Sequence, residues 1–379
     1  MKFDYIIRNG HVVDTLCGVN RIKDIGVLNG RVHDADGGDT AKHPVIDAEG
    51  FYVLPGLIDF HTHIYDVGSG LGVNPDYFLA TGVTATVDAG TSGASNYEAF
   101  HLTKVVPSYC KVKAQINITS QGQFQLGFPE NYNPKYFRED LITNLLEKYP
   151  DEIIGLKMRL SKETVGDDGM EPFMKMLEIA EHLNLPVVIH TTNPAIDVDT
   201  LANSLRKGDV YCHCYQGEGD TILDKNSSVR QSIKVARKRG VIFDACNGTL
   251  NFAFAVTQRA IAEGFYPDVI SSDTSRHSFA VPYFCKNLPF VMSKFIALGM
   301  DIESVVKAVT ETPARLMGME NRIGTLKSGA CADIAILKLE NKRIHFNDRK
   351  QDFWGDSIFV NMFTMLNGNV VYCANDFWL

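Results

Sequence analysis

Eight short apolar runs, separated by amphipathic stretches and spaced roughly 20 to 40 residues apart, constrain the fold of this chain most strongly. They are Gly56–Phe60, Val83–Val87, Val112–Ile118, Ile153–Met158, Val187–Ile189, Val210–Cys212, Val241–Phe243 and Val269–Ile270. In the first, Leu57 and Ile58 continue the apolar residues Val53 and Leu54, the pattern of a strand buried on both faces in a parallel sheet. Helical spacing fills the gaps. Glu171–Leu183 repeats apolar residues at helical intervals, Ser228–Arg239 opens with small polar residues, and Asp301–Val309 begins with an N-cap aspartate. The prediction is an α/β chain folded as a (β/α)8 TIM-like barrel over residues 53–319. The first fifty residues instead break into short alternating segments, with a hairpin signal at Asn29–Gly30. After Pro313, β character returns at Cys331–Leu337 and Val370–Tyr372. Neither end has enough strands to stand alone, so residues 1–52 and 320–379 are expected to combine into one small β-sandwich domain.

In such a barrel the chemistry sits at the C-terminal ends of the strands. Strand 1 runs into His61-Thr62-His63, where alternation puts both imidazoles on one face, a half-site for a divalent transition metal. Strand 4 buries Lys157 in an apolar run, strand 5 ends in His190, strand 6 in His213, and strand 8 leads into Asp273. Taken singly, each has an ordinary explanation: a core histidine, a snorkelling lysine, a capping aspartate. Together at five strand ends they point to a metal site. Arg159 shares the face of Lys157, and is either an exposed loop arginine or a group for a substrate carboxylate or oxyanion. Asn193, Gln216, Asn247 and His277 also follow strand ends and are candidate substrate contacts. In Cys212-His213-Cys214, alternation turns both cysteines away from His213, so they read as small core residues. Asp88 and Asp244 read as structural. Gly68-Ser69-Gly70-Leu71-Gly72 lacks a dinucleotide-binding spacing and reads as a flexible loop beside the site.

The chain resembles the amidohydrolase superfamily along nearly its whole length. Val53–His63 is similar to the family's first-strand motif, Thr312–Gly318 to its final barrel helix, and Ile323–Ile334 to its return into the satellite β domain. The resemblance to the binuclear subtype implies two divalent ions, zinc first among Zn, Mn, Co and Fe. It places His61 and His63 on the buried ion, His190 and His213 on the exposed one, and Lys157, carboxylated by CO2, between them. Asp273 would ligate the buried ion and serve as general base and acid for attack by a bridging hydroxide. A lysine desolvated in an apolar strand can react with CO2 as the neutral amine, and the carbamate holds two cations where an ammonium would repel them. The resemblance implies hydrolysis of an amide or ester in a small acylated metabolite, within the deacetylase-like group near the dihydroorotases, hydantoinases and D-aminoacylases.

Alternatives are deamination of a purine such as adenine, dihydroorotase-like chemistry, and a non-catalytic barrel used for assembly. Dihydroorotases typically carry arginine two residues after the His-x-His pair, where this chain has Tyr65. The last reading is opposed by retention of every ligand position. The net charge of −8 argues against nucleic acid and anionic membranes. The single dense basic run, Arg237-Lys238-Arg239 before Gly240, fits a helix C-terminus. With no apolar h-region, no run long enough to span a bilayer and eight scattered cysteines, a cytoplasmic, homo-oligomeric enzyme for small molecules is expected.

Overall fold

The computed structural model describes residues 2–35, 43–125, 127–166, 169–279, 281 and 283–377. Its centre is a curled parallel sheet of seven neighbouring strands: Leu57–Thr62, Val83–Gly93, Lys111–Asn117, Ile153–Arg159, Val187–His190, Val210–Cys212 and Ile242–Asp244. They are barrel strands 1 to 7 below. The eighth run forms no regular ladder. Segment 269–274 instead joins the two sheet edges through single bridges, Val269 to Asp244 on one side and Thr274 to Thr62 on the other. Backbone bonds from Asp273 to the His61 carbonyl (2.9 Å) and from Asn247 to the Ser271 carbonyl (3.0 Å) complete the closure. The inside of the barrel is packed by Ile58, Phe60, Ala85, Val87, Val188 and Val210, and is plugged from below by Ala314 and Met317 around helix Glu311–Leu316. With one end filled by apolar side chains, polar groups gather at the other end.

The predicted helices form where their signals lie, at Met170–His182, Gln231–Arg239 and Ile302–Val309. Asp301 accepts from the Ser304 amide as an N-cap, and the basic run ends its helix against Gly240 in the left-handed conformation (φ 101°). Asn29 and Gly30, both at positive φ, turn the predicted hairpin.

The stretch Val53–His63, similar to the family's first-strand motif, divides at Gly56, however. Tyr52–Pro55 pairs with Ile334–Asn347 and His11–Asp14 in an outer sheet, while Leu57 starts the barrel. A Cβ on Gly56 would lie 2.2 Å from Thr84 Oγ1, so glycine allows the chain to pass between the two sheets here. That six-stranded outer sheet unites both ends of the chain and is dominated by a long hairpin, Ile334–Asn347 with Asp352–Leu366. A four-stranded sheet from the N-terminal segment lies beside it and shares its core, Ile7, Val27 and Ile46 packing with Ile336 and Phe363. No helix among the described residues is long and apolar enough to cross a membrane.

Candidate metal centre

Cross-strand register sets the level of each polar group at the barrel mouth. Arg159 lies beside His190, His190 beside Cys212, and Cys212 beside Asp244, forming one row across strands 4 to 7. Lys157 stands one inward-facing step below Arg159 and is fully buried. His61 and His63 come from strand 1, and Asp273 from the closing segment. Just beyond the strand ends, His213, Cys246 and Asp273 take left-handed backbone angles (φ 60°, 39° and 56°). Those turns end the strands and swing the side chains over the barrel axis.

The structure brings all six predicted metal-site residues together. Asp273 Oδ1 is 3.3 Å from His63 Nε2 and 3.6 Å from His61 Nε2. Ligand atoms of these three residues all lie within 4.8 Å of one another. Lys157 Nζ is 3.4 Å from His61 Nε2. The His190 and His213 rings lie 4.1 Å apart, and those of His213 and His61 5.3 Å. Orientation is fixed from behind. His213 Nδ1 donates to the Cys246 carbonyl (2.8 Å), which leaves Nε2 with its lone pair. His63 Nδ1 bonds Thr91 Oγ1 at 2.8 Å.

Burial holds His61 and His190 well below the usual histidine range, reinforced by the Lys157 charge at His61 and by His213 at His190; His213 falls to about 4, chiefly by burial. These imidazoles are therefore neutral at neutral pH. Burial opposes ionisation of Asp273, but the His63 hydrogen bond and the fields of His213, His63 and Lys157 carry it below the usual carboxylate range. The donor set of neutral imidazoles, an ionised carboxylate and a buried lysine suits a divalent transition ion.

A cavity of about 530 Å³ opens over this cluster, lined by His61, His63, Lys157, His190 and Asp273 and, higher up, by Arg159, Asn193 and His277. Arg159 Nη1 pairs with Glu130 (3.0 Å) and Nη2 donates to Thr164 (3.0 Å), while its buried Nε has no partner among the described residues. The Asn193 amide nitrogen is bound to Glu163. Gln216 and Asn247 do not reach the cavity lining. Gln216 closes its own turn, donating to the Asp220 carbonyl and accepting from the Glu218 amide. Asn247 donates to the carbonyls of Gly248 and Phe284 and accepts from Lys294.

Two other expectations are corrected. Cys212 faces inward, its Sγ 3.0 Å from His61 Nδ1 and 3.9 Å from Lys157 Nζ, because the left-handed turn at His213 breaks alternation. Cys214 does join the outer core, as predicted. The glycine-rich loop is tied down rather than free: Ser69 Oγ donates to the Gln123 and Phe124 carbonyls, and Gly70 N to Phe124 O. Asp88 serves backbone only, accepting from the amides of Ile64 and Thr91.

Sequence reasoning missed Asn251. Its amide donates to Asp273 Oδ2 (2.9 Å) and accepts from Thr192 (2.8 Å), joining the ends of strands 5 and 8. It lies in an irregular loop seven residues beyond strand 7, where no spacing rule applies. Glu130 and Tyr132 were missed for the same reason; the Tyr132 hydroxyl accepts from the Arg159 amide (2.9 Å) and donates to Glu130 (2.8 Å).

A parallel barrel with a His-rich, lysine-centred cluster at its C-terminal mouth defines a metal-dependent hydrolase. The chain belongs to the amidohydrolase family, whose sequence profile matches residues 52–371, and is a hydrolase of carbon–nitrogen bonds. Members of this family are generally binuclear metal enzymes. A deacetylase of Agrobacterium fabrum is 32% identical over 311 residues, covering 81% of this chain and 75% of its own. The crystal structure of an adenine deaminase superposes with a TM-score of 0.87 at 25% identity, covering 97% of this chain and 99% of its own. A dihydroorotase superposes with a TM-score of 0.86 at 27% identity, covering 98% of each chain.

Proposed function

We propose that this chain is a binuclear zinc deacetylase acting on small acylated acids. In this reading His61, His63 and Asp273 would hold one ion and His190 and His213 the other, and Lys157, carboxylated by CO2, would supply an anionic ligand to the pair. The observation that carries it is the setting of Lys157. Its ammonium is fully buried against His61, and no carboxylate lies within ion-pairing distance of Nζ among the described residues. An unpaired buried charge costs several kcal/mol. Reaction of the neutral amine with CO2 forms an N–C bond, releases one proton and leaves an anionic two-oxygen ligand, which converts the misfit into a metal bridge.

Divalent ions bound here would supply Lewis acidity to a carbonyl and acidify water near neutral pH. The chain's own groups then divide the remaining work. Asp273 turns Oδ1 toward His61 and His63, while Asn251 holds Oδ2. In this reading it takes a proton from the attacking water and delivers it to the leaving nitrogen. Arg159, steadied by Glu130 and Thr164, lines the cavity and offers its guanidinium to a substrate carboxylate. The similarity to the Agrobacterium deacetylase supports the acyl-transfer class. Eight free cysteines fit a reducing cytoplasm.

The test is metal content per chain after purification with bicarbonate, in the wild type and Lys157→Ala, followed by an N- and O-acyl library. Near two ions per chain, falling sharply in the variant, is expected. One ion, indifferent to Lys157, would overturn the bridge. A second reading, purine deamination, is favoured by the adenine deaminase neighbour at 25% identity; ammonia release from a purine panel without deacylation would establish it instead. Tyr65 is buried in T-shaped contact with Phe100, away from the cavity lining, and offers nothing to a dihydroorotate-type carboxylate.

A further inference from the structure

Beside the hydrolytic cluster, two thiols that the reaction does not use converge on two of its imidazoles. Ligand atoms of His61, Cys212, His213 and Cys246 all lie within 4.8 Å of one another, and all four residues are essentially solvent-free. Cys212 Sγ is 3.0 Å from His61 Nδ1, and Cys246 Sγ is 3.8 Å from His213 Nε2. A tetrahedral ion with bonds of about 2.0 Å to nitrogen and 2.3 Å to sulfur separates its ligands by about 3.3–3.8 Å. Small rotamer shifts would close the set around an ion. We propose that these four residues form a site for a thiophilic, tetrahedral divalent cation such as Cd2+, competing with the hydrolytic ions for His213.

Three features carry the proposal. Two nitrogens and two sulfurs are the donor set that selects soft, tetrahedral ions over the oxygen-seeking ones. Charge balances: a divalent ion with two thiolates is neutral, so no uncompensated charge is buried. The two thiol protons pass to solvent through the cavity, which His61 lines. Competition follows from His213. Its Nδ1 is committed to the Cys246 carbonyl, so the single remaining nitrogen cannot serve both sites. This last point rests on the assignment of His213 to the hydrolytic pair; the four-ligand set does not.

The experiment titrates the full-length, zinc-loaded protein with Cd2+, following sulfur-to-cadmium charge-transfer absorption and zinc released to a chromogenic chelator. The wild type is expected to give a saturating thiolate signal at one Cd2+ per chain together with zinc release. Cys212→Ala and Cys246→Ala should each weaken Cd2+ binding by at least on the order of 100-fold, since loss of an outer-sphere partner alone typically costs 10–100-fold. Cys110→Ala, a buried thiol of another cluster, should leave the signal intact. Cys246→Ser, checked by circular dichroism, covers the case in which an alanine variant fails to fold. No thiolate signal in the wild type, or an undiminished one in both variants, overturns the proposal. A thiolate signal in protein that holds no zinc supports this site while refuting the hydrolytic assignment; two zinc ions per chain with no thiolate signal does the reverse.

Discussion

Gly90 is the position where one methyl group tests the placement of Lys157. It lies in strand 2 with φ at +79°, and a Cβ there would stand 2.6 Å from Lys157 Cγ and 2.7 Å from Lys157 Cβ. Lys157 cannot slide away, because its backbone is registered between Asn117 and Val188 on the flanking strands. Gly90→Ala therefore carries two costs: about 1–2 kcal/mol for an L-residue in left-handed backbone, and about 1–3 kcal/mol for overpacking. Gly264→Ala separates them, since Gly264 shares the conformation (φ +73°) with nothing within 4 Å of its Cβ. Denaturant titration of both variants should show Gly90→Ala the less stable by about 1–3 kcal/mol. Metal analysis should show it depleted while Gly264→Ala stays loaded. In a Lys157→Ala background the Cγ contact is absent, so the Gly90→Ala penalty should shrink by about 1 kcal/mol. Additive effects, within about 0.5 kcal/mol, together with full metal occupancy in Gly90→Ala, would refute the claim that this strand presses on the lysine.

Other perturbations address different groups. Arg159→Ala should raise KM for an anionic substrate far more than for a neutral analogue of the same acyl group; equal losses in the two kinetic series would remove the carboxylate assignment. Asn251→Ala removes a charge-assisted hydrogen bond worth about 1.5–3 kcal/mol, so kcat should fall roughly 10- to 100-fold with metal content unchanged, and an unaltered kcat would show that Asp273 needs no support. Lys294 is fully buried, and burial lowers it to about 7. The unfolded chain therefore binds more protons between about pH 7 and 10.5, so stability rises across that window and the desolvation cost is complete below it. Lys294→Met should flatten this slope in denaturation curves at pH 7 and 9.5; an unchanged slope would place the titration elsewhere.

The barrel was legible because its buried strands need short apolar-rich segments at regular intervals, and helices between them need a 3.6-residue period. Those two demands leave marks that survive without any knowledge of contacts. Val210–Cys212 matches its strand to the residue, and the other six strands differ mainly by polar residues at their mouths, such as Arg159, His190 and Asp244. Strand 2 runs on to Gly93 because Gly90 lets it bend over Lys157. The long hairpin of Ile334–Asn347 and Asp352–Leu366 was legible only at its first residues. Its outer half is partly exposed and carries Glu340, Lys342 and Arg343, so the apolar signal fades while the hydrogen-bonded ladder continues to Asn347.

At the candidate site, alternation within a strand located His61, His63, Lys157 and Arg159, whose side chains all line the cavity. It misplaced Cys212, and the failure shows where the rule ends. Side-chain parity holds only while the backbone stays extended, and His213 at φ 60° reverses it within one residue, so neighbours that should diverge both face the axis. Cross-strand register is the sturdier constraint. Residues level with one another on adjacent strands share a face, so once His190 is inward, Cys212 and Asp244 must be inward too. The same left-handed turns that defeat parity at His213 and Cys246 bring two thiols beside two imidazoles. The backbone geometry that builds the hydrolytic site thus also creates a soft-metal vulnerability beside it, and Cys212→Ala and Cys246→Ala are the substitutions that can separate the two.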